Sequence, residues 1–160
     1  MITIKLKIKE HLAEYLIGKY NNADGSTPIS FPESDDLYHL IWQLMRKRPS
    51  GTSPVDVGNV WIRLDDHRLG KDPLVYNYLE KTSIVILTLK VEALFFMELH
   101  QRIDDNRYSG FPLSTIQVVH HFLCEYDINS ISEDALIKND YRWRDKVRRR
   151  GTKRLYKKKG

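Results

Sequence analysis

Residues 82–97, TSIVILTLKVEALFFM, decide the fold of this chain. Their first half, 82–89, is apolar on every side and rich in β-branched residues, so its periodicity fits a strand as well as a helix. Both flanks, 74–79 and 91–103, have apolar residues at helical spacing, and no turn residue interrupts the run. We therefore predict one helix over 73–105, whereas a strand at 82–89 would enlarge the sheet.

The rest of the N-terminal part supplies a small sheet and further helices. Residues 2–9 alternate apolar and polar side chains, which predicts a strand with one buried face, and residues 59–65 form a second strand candidate. Residues 35–48 have apolar residues at helical spacing behind a predicted N-cap at Ser34. These elements predict an α+β fold, predominantly helical, in which a small β-sheet packs on helices.

A helical pair follows a segment that contains Gly and Pro. We predict a helix from a cap at Ser114 to Tyr126, and a second helix that begins at Ser130 or at Ser132. The inner side of the first helix is predicted to hold Ile116, Val119, Leu123 and Tyr126. The predicted parts are an α+β body at 1–110, a basic helical pair at 111–149 and a flexible basic tail at 150–160.

The charge of the chain is concentrated at its C-terminal end. The formal net charge is +5, yet residues 138–160 hold 12 Lys and Arg against two Asp, a balance of +10. The other 137 residues hold 14 Lys and Arg against 19 Asp and Glu, a balance of −5. An acidic body with a basic end is typical of a protein that binds a polyanion.

Cysteine content and hydropathy indicate a cytoplasmic protein without a membrane segment. Cys124 is the single cysteine, so no internal disulfide can form, which fits a reducing compartment. Residues 1–9 lack the continuous apolar stretch of a signal peptide. The apolar region 84–97 is interrupted by Lys90 and Glu92 and is too short to span a bilayer. It is instead a candidate surface for a homo-oligomer or a protein partner.

The junction between the two C-terminal helices resembles that of helix-turn-helix proteins. The stretch Phe122-Leu-Cys-Glu-Tyr-Asp-Ile-Asn is similar to the Leu-x-x-x-Tyr-Gly-Ile-Ser junction common in DNA-binding regulators of phages and mobile elements. Asp127 stands where those proteins usually carry glycine. The resemblance covers residues 114–149 and implies a second helix that contacts DNA.

The second helix has two distinct faces at 100° per residue. Leu136, Trp143 and Val147 share one stripe with Asp140, and a row of cations lies opposite, within about 80° of arc. The helix is therefore predicted to dock through its apolar stripe and to present cations to phosphate. The predicted nucleic-acid contacts are Lys138, Arg142, Arg144, Lys146, Arg148, Arg149, Arg150, Lys153 and Arg154.

Two aromatic residues of this helix are candidates for stacking on unpaired bases. Tyr141 lies off the docking stripe, so the sequence leaves its role open. Trp143 lies on that stripe, which favours packing against the core.

The sequence also contains incomplete patterns for metal binding and catalysis. His120 and Cys124 share a helix face beside His121 and would be two zinc ligands, but a structural site needs four. Asp65, Asp66 and His67 would suit a metal-dependent nuclease, although a charged turn after a strand explains them more simply.

We therefore expect a non-enzymatic nucleic-acid-binding protein with no cofactor and no bound metal. DNA is favoured over RNA, and the expected role is that of a regulator or a mobile-element accessory factor. The alternative is a protein-interaction or assembly factor whose basic tail binds RNA or an acidic partner. A metal-dependent nuclease is the third hypothesis.

Overall fold

The computed structural model describes residues 2–20, 27–66 and 70–158, and the side chains of these residues as far as 152. Five helices and four short strands in these ranges confirm the predominantly helical α+β class. The elements are β1 (Ile2–Leu6), α1 (Glu10–Tyr20), α2 (Asp36–Leu44), β2 (Arg46–Lys47), β3 (Val60–Leu64), β4 (Tyr76–Tyr78), α3 (Lys81–Arg107), α4 (Thr115–Glu125) and α5 (Glu133–Lys158).

Helix α3 is the central element, and it confirms the helical prediction for 82–89. It has 27 residues, which corresponds to a length of about 40 Å. Four residues turn the helix by 400°, so a series with that spacing moves about 40° around the axis at each step. The buried face therefore winds around α3, and other elements can pack on several of its sides. That series of buried residues is Ser83, Leu87, Val91, Phe95, Leu99 and Ile103.

An aromatic cluster joins α3 to α1 and α4. The ring of Phe95, which is fully buried, lies 5.2 Å from that of Tyr15 on α1 and 5.3 Å from that of Phe122 on α4. Tyr15 in turn contacts Tyr126 at 5.2 Å, edge to face. Burial is the first cause that raises the pKa of Tyr15, and a hydrogen bond with Glu98 adds to it, so the phenol stays neutral.

The predicted sheet pairs as expected. β1 and β3 are antiparallel, with Ile2 opposite Leu64 and Leu6 opposite Val60. Ile29 bonds to the other edge of β3 as an isolated parallel bridge. A second antiparallel pair, β2 with β4, was not predicted.

The predicted start of the long helix at residue 73 is wrong, because α3 begins at Lys81. The backbone amide of Leu74 donates to Asp72 Oδ1 at 2.9 Å, so Asp72 and Pro73 begin a short turn. The amide side chain of Asn77 then bonds back to the carbonyl of Pro73 at 3.1 Å. The chain continues as β4, whose aromatic residues suit a strand.

Helix α2 is also shorter than predicted. It ends at Leu44 and not at residue 48, and its N-cap is Asp35 and not Ser34. The ammonium of Lys71 donates to the carbonyl of Trp42 at 2.6 Å and to that of Met45 at 3.2 Å. A cation 26 residues away in sequence thus satisfies the last carbonyls of the helix.

The C-terminal helices begin at two of the predicted caps. Ser114 and Gln117 form a capping box, and the hydroxyl of Ser132 accepts from the amide of Ala135 at 3.1 Å. Ile116 was predicted to face inward but is 58% exposed. Val118 and Phe122 are buried in its place.

The C-terminal helix is longer than predicted and belongs to the same core as the body. α5 continues past residue 149, through Gly151, to Lys158. The buried side chains of α4 and Leu136 of α5 join one core with those of the α+β body. None of the helices in the described ranges combines the length and the apolar character needed to cross a membrane.

The body holds the α4–α5 junction closely. A Cβ atom added at Gly18 would lie 2.8 Å from the Cα of Tyr126, so only glycine permits this contact between α1 and the end of α4. The carboxylate of Glu14 accepts a hydrogen bond from the backbone amide of Asn129. The start of the basic helix is therefore fixed relative to α1.

Asp127 has the conformation that glycine has at such junctions. Its φ is 52°, in the left-handed region. The amide of Ile128 donates to the carbonyl of Leu123 at 2.9 Å, and the amide of Asp127 donates to that of Cys124 at 3.3 Å. These two bonds form a Schellman motif, in which the left-handed residue is usually glycine.

We predict that Asp127→Gly stabilises the fold and that Asp127→Val destabilises it. Glycine removes the Cβ strain of the left-handed conformation, which costs about 1 kcal/mol, whereas a β-branched residue increases it. Urea unfolding followed by circular dichroism measures both changes. Equal destabilisation by the two variants would show that the carboxylate of Asp127, and not its backbone, maintains the turn.

Candidate nucleic-acid interface

The predicted cations lie on the outer face of α5. Lys138, Arg142, Lys146 and Arg149, called here the cationic row, are all exposed. Leu136 at 0% exposure points to the core from the opposite side of the helix. At 1.5 Å per residue the row is about 16 Å long. It is thus a continuous, solvent-facing line of positive charge on a helix whose other side is packed.

The cations of the row are available to an external anion. Lys138 pairs with Asp134 at 2.9 Å and Arg149 pairs with Asp145 at 3.2 Å. Both pairs are exposed, so they contribute little and can exchange for phosphate. The other exposed cations of α5 have no ion-pair partner within the part of the chain that the structure describes. They are Arg142, Lys146, Arg148 and Arg150.

Arg144 differs from the other predicted contacts. Its NH1 atom lies 2.7 Å from Asp104 Oδ1 on α3, and its Nε lies 2.9 Å from Asp140 Oδ2. Burial disfavours the charged guanidinium, but the hydrogen bonds to Asp140 and Asp104 outweigh it, so the pKa of Arg144 is raised. Arg144 therefore anchors α5 to α3, and its guanidinium is less available to phosphate than the exposed cations of the helix.

The inner face of α5 also carries a stacked aromatic pair. The rings of Trp143 and His100 are 4.1 Å apart at 18°. Trp143 keeps 38% of its surface exposed, and Val147, predicted to dock, is 49% exposed. Docking therefore rests on Leu136, Trp143 and the Arg144 ion pairs, and it ends before Val147.

The remaining candidates are the stacking residue Tyr141 and two cations near the end of α5, Lys153 and Arg154. Tyr141 is 74% exposed and has room to stack on a base. The backbone of Lys153 and Arg154 belongs to α5, but their side chains lie outside the described residues.

The metal and nuclease candidates form side-chain pairs within the protein. His120 Nδ1 lies 2.5 Å from Glu133 Oε1, and its Nε2 lies 3.5 Å from Cys124 Sγ. Among the described residues no group of three or more His, Cys, Asp or Glu could hold a metal ion. Asp65 accepts a hydrogen bond from the hydroxyl of Tyr38 at 2.8 Å. His67 lies outside the described residues.

The first turn of α5 does not suit base recognition. Helix-turn-helix proteins contact base edges with the N-terminal residues of the second helix. Here those residues include Glu133 and Asp134, and Glu133 is paired with His120. The connection over 126–132 is also longer than the usual three to four residues. The geometry suits contact with phosphates along the later turns of α5.

Comparison with known proteins gives no family for this chain. No family model, curated protein or solved structure matches it. Its function has to be inferred from the chemistry of its own residues.

The sequence identified Leu136 and Trp143 of the docking face but not the ion pairs that anchor α5. Asp140 and Arg144 are spaced i, i+4, which is the spacing of an intrahelical ion pair, and that signal was available. Asp104 lies 40 residues from Arg144 and His100 lies on another helix, so no local pattern links them to α5.

We predict that Arg144→Met costs about 3 kcal/mol of stability, because it leaves the buried carboxylate of Asp140 without its partner. Arg142→Met is the matched control on the same helix and should leave stability within about 0.5 kcal/mol. Urea unfolding of both variants at pH 7 tests this difference. If the two variants unfold at the same urea concentration as the wild-type protein, Arg144 is not an anchor.

We predict that His100 makes stability depend on pH. Burial, the largest cause, lowers the pKa of His100, and Arg144 also lowers it, against the opposing effect of Asp140 and Asp104. Well above pH 6.5, the ordinary pKa of histidine, the imidazole is neutral in both the folded and the unfolded states. As the pH falls below 6.5, His100 binds a proton in the unfolded chain but stays neutral in the folded chain, so the free energy of unfolding decreases.

His100→Gln should therefore flatten the decline in unfolding free energy between about pH 6.5 and pH 5. Unfolding curves of wild-type and variant protein at half-unit pH intervals measure the two slopes. Parallel curves would show that His100 does not titrate differently in the two states.

Proposed function

We propose that this chain is a non-enzymatic nucleic-acid-binding protein that holds the phosphate backbone along the cationic row of α5. The observation that supports this most is that α5 is anchored to the body on one side and carries exposed cations on the other. Its inner side is fixed to α3 by Arg144, and its outer side presents four exposed cations over about 16 Å. Such a rigid line of positive charge is a suitable surface for a polyanion.

Repulsion within α5 favours binding of an external anion. Arg142 and Lys146, and then Lys146 and Arg150, are spaced four residues apart, where like charges destabilise a helix. From residue 146 to 152 every side chain is exposed, so nothing in the described protein offsets this repulsion by packing. A phosphate backbone would neutralise these charges, and we expect binding to stabilise α5.

Duplex DNA is the favoured ligand on grounds of shape. A helix of about 10–12 Å diameter fits the B-DNA major groove, about 12 Å wide, but not the deep and narrow major groove of A-form RNA. Because the first turn of α5 is acidic, we propose contacts to phosphates with little reading of sequence. The expected setting is the cytoplasm, with the chain as a regulator or mobile-element accessory factor.

The test compares two double variants, each of which lacks two cations. Their affinity for labelled duplex DNA is measured by fluorescence anisotropy across a salt series. Arg142→Met with Lys146→Met should reduce the log–log salt slope by about 1.8, because each phosphate contact contributes about 0.9. Lys7→Met with Lys81→Met is the matched control, since both residues are exposed cations of the body. The control should bind as the wild-type protein does.

Three results would contradict the proposal. Equal loss of affinity in both double variants would place the contact outside the cationic row. Tighter binding to duplex RNA than to duplex DNA of equal length would reject the DNA preference. Absence of binding to duplex DNA, single-stranded DNA and RNA at low salt would reject nucleic-acid binding itself.

A further inference from the structure

Helix α3 carries a stripe of apolar side chains that the described part of the chain does not cover. Val85, Leu89, Ala93 and Met97, called here the apolar stripe, recur every four residues and lie half a turn from the buried series. Val85 is 58% exposed, and Leu89 and Met97 are each 62% exposed. The stripe is about 18 Å long.

Two charged residues of α3 beside the middle of the stripe are compensated within the chain. Lys90 pairs with Asp36 on α2 at 3.7 Å, and Glu92 pairs with Lys9 at 2.9 Å. A partner over the middle of the stripe therefore needs an apolar face and no charge that matches these two residues. This argues against an acidic or a basic partner and favours a surface of the same character.

Two depressions along the stripe have the spacing of helix-packing holes. One is bordered by Ala93, Phe96, Met97 and His100, with Trp143 of α5 at its edge. The other is centred on Thr88 and is bordered by residues of α3 from Ile84 to Glu92, with residues 7–9 at its edge. In both, residues at i, i+3, i+4 and i+7 surround a space that receives a side chain from a facing helix.

We propose that a second copy of this chain covers the stripe, with the two α3 helices antiparallel about a two-fold axis at Ala93. In this arrangement Leu89 of each copy enters the depression beside Met97 of the other, and Met97 enters the depression beside Leu89. Both side chains are exposed. Alanine at the axis lets the two helix backbones approach closely. The stripe is thus complementary to itself, as a two-fold interface requires.

The stripe is smaller than the surface that a permanent dimer buries. With Ile86 and Trp143 at its borders it forms an exposed apolar patch on the order of a few hundred Å² per copy, about the size of the largest patch on a typical monomer. Stable interfaces bury about 800 Å² per partner. An interface of this size is at the low end of the range, where associations are weak and reversible.

Sedimentation velocity over a concentration series tests the interface. The wild-type protein should change from monomer to dimer between about 1 and 100 μM, and Leu89→Glu should weaken the dimer at least about tenfold, because it puts a charge into an apolar contact. Val57→Glu is the matched control, since Val57 is 80% exposed and lies off α3. A monomer at all concentrations, or a dimer unchanged by Leu89→Glu, overturns the proposal.

A cysteine at the axis tests the antiparallel arrangement itself. In a Cys124→Ser background, Ala93→Cys should form a disulfide between copies under mild oxidation, because the two Cα atoms come within the 4.4–6.8 Å that a disulfide needs. Asp105→Cys, exposed on the same helix, is the control and should remain monomeric on a non-reducing gel. Cross-linking of Asp105→Cys at the same rate, or none for Ala93→Cys, overturns the two-fold axis at Ala93.

Discussion

The winding of the buried face around α3 is the constraint on which the other elements depend. A helix that is buried along a straight stripe contacts other elements on one side only. In α3 the buried residues are four apart, so the buried side turns by about 40° at each step and faces several elements. α1 and α4 meet at Phe95, and α5 reaches α3 further along, at His100 and Asp104. The basic helix is thus joined to the body through α3, and α1 holds its start through Glu14.

The basic helix combines two opposite electrostatic requirements. For the proposed function its outer side needs cations that can exchange their partners for phosphate, whereas its inner side must join an apolar core without leaving a buried charge unpaired. Asp104 and Asp140 meet the second requirement by surrounding Arg144, and Asp140 is only 3% exposed. The cost of separating such a pair is large, so the anchor keeps α5 in place when the outer side exchanges its ions.

The sequence predicted what depends on local pattern and missed what depends on distant partners. The helix over 82–89 was predicted correctly because its C-terminal flank, 91–103, has helical spacing, and the β1–β3 pair because alternation is a local signal. The prediction of helix at 73–80 was wrong because β4 lies in this segment and pairs with β2, some 30 residues earlier in the chain. Arg144 was placed among the phosphate contacts because Asp104, its partner, lies on another helix. Asp127 was the exception, since the glycine-like position was visible in the junction and the structure gives it a φ of 52°.

The two proposed surfaces are coupled because both are held by α3. A two-fold dimer through the apolar stripe would carry two cationic rows, so one duplex that contacts both would release about twice as many counterions as one that contacts a single row. The second contact would then be intramolecular. Because DNA would bind the dimer more tightly than the monomer, it would shift the monomer–dimer equilibrium toward the dimer. Trp143 lies where the two surfaces meet, since it borders the depression on α3 and its neighbour Arg142 belongs to the row. If both proposals hold, a modest apolar patch would be enough for dimerisation on a polyanion while the free protein would be largely monomeric at low concentration.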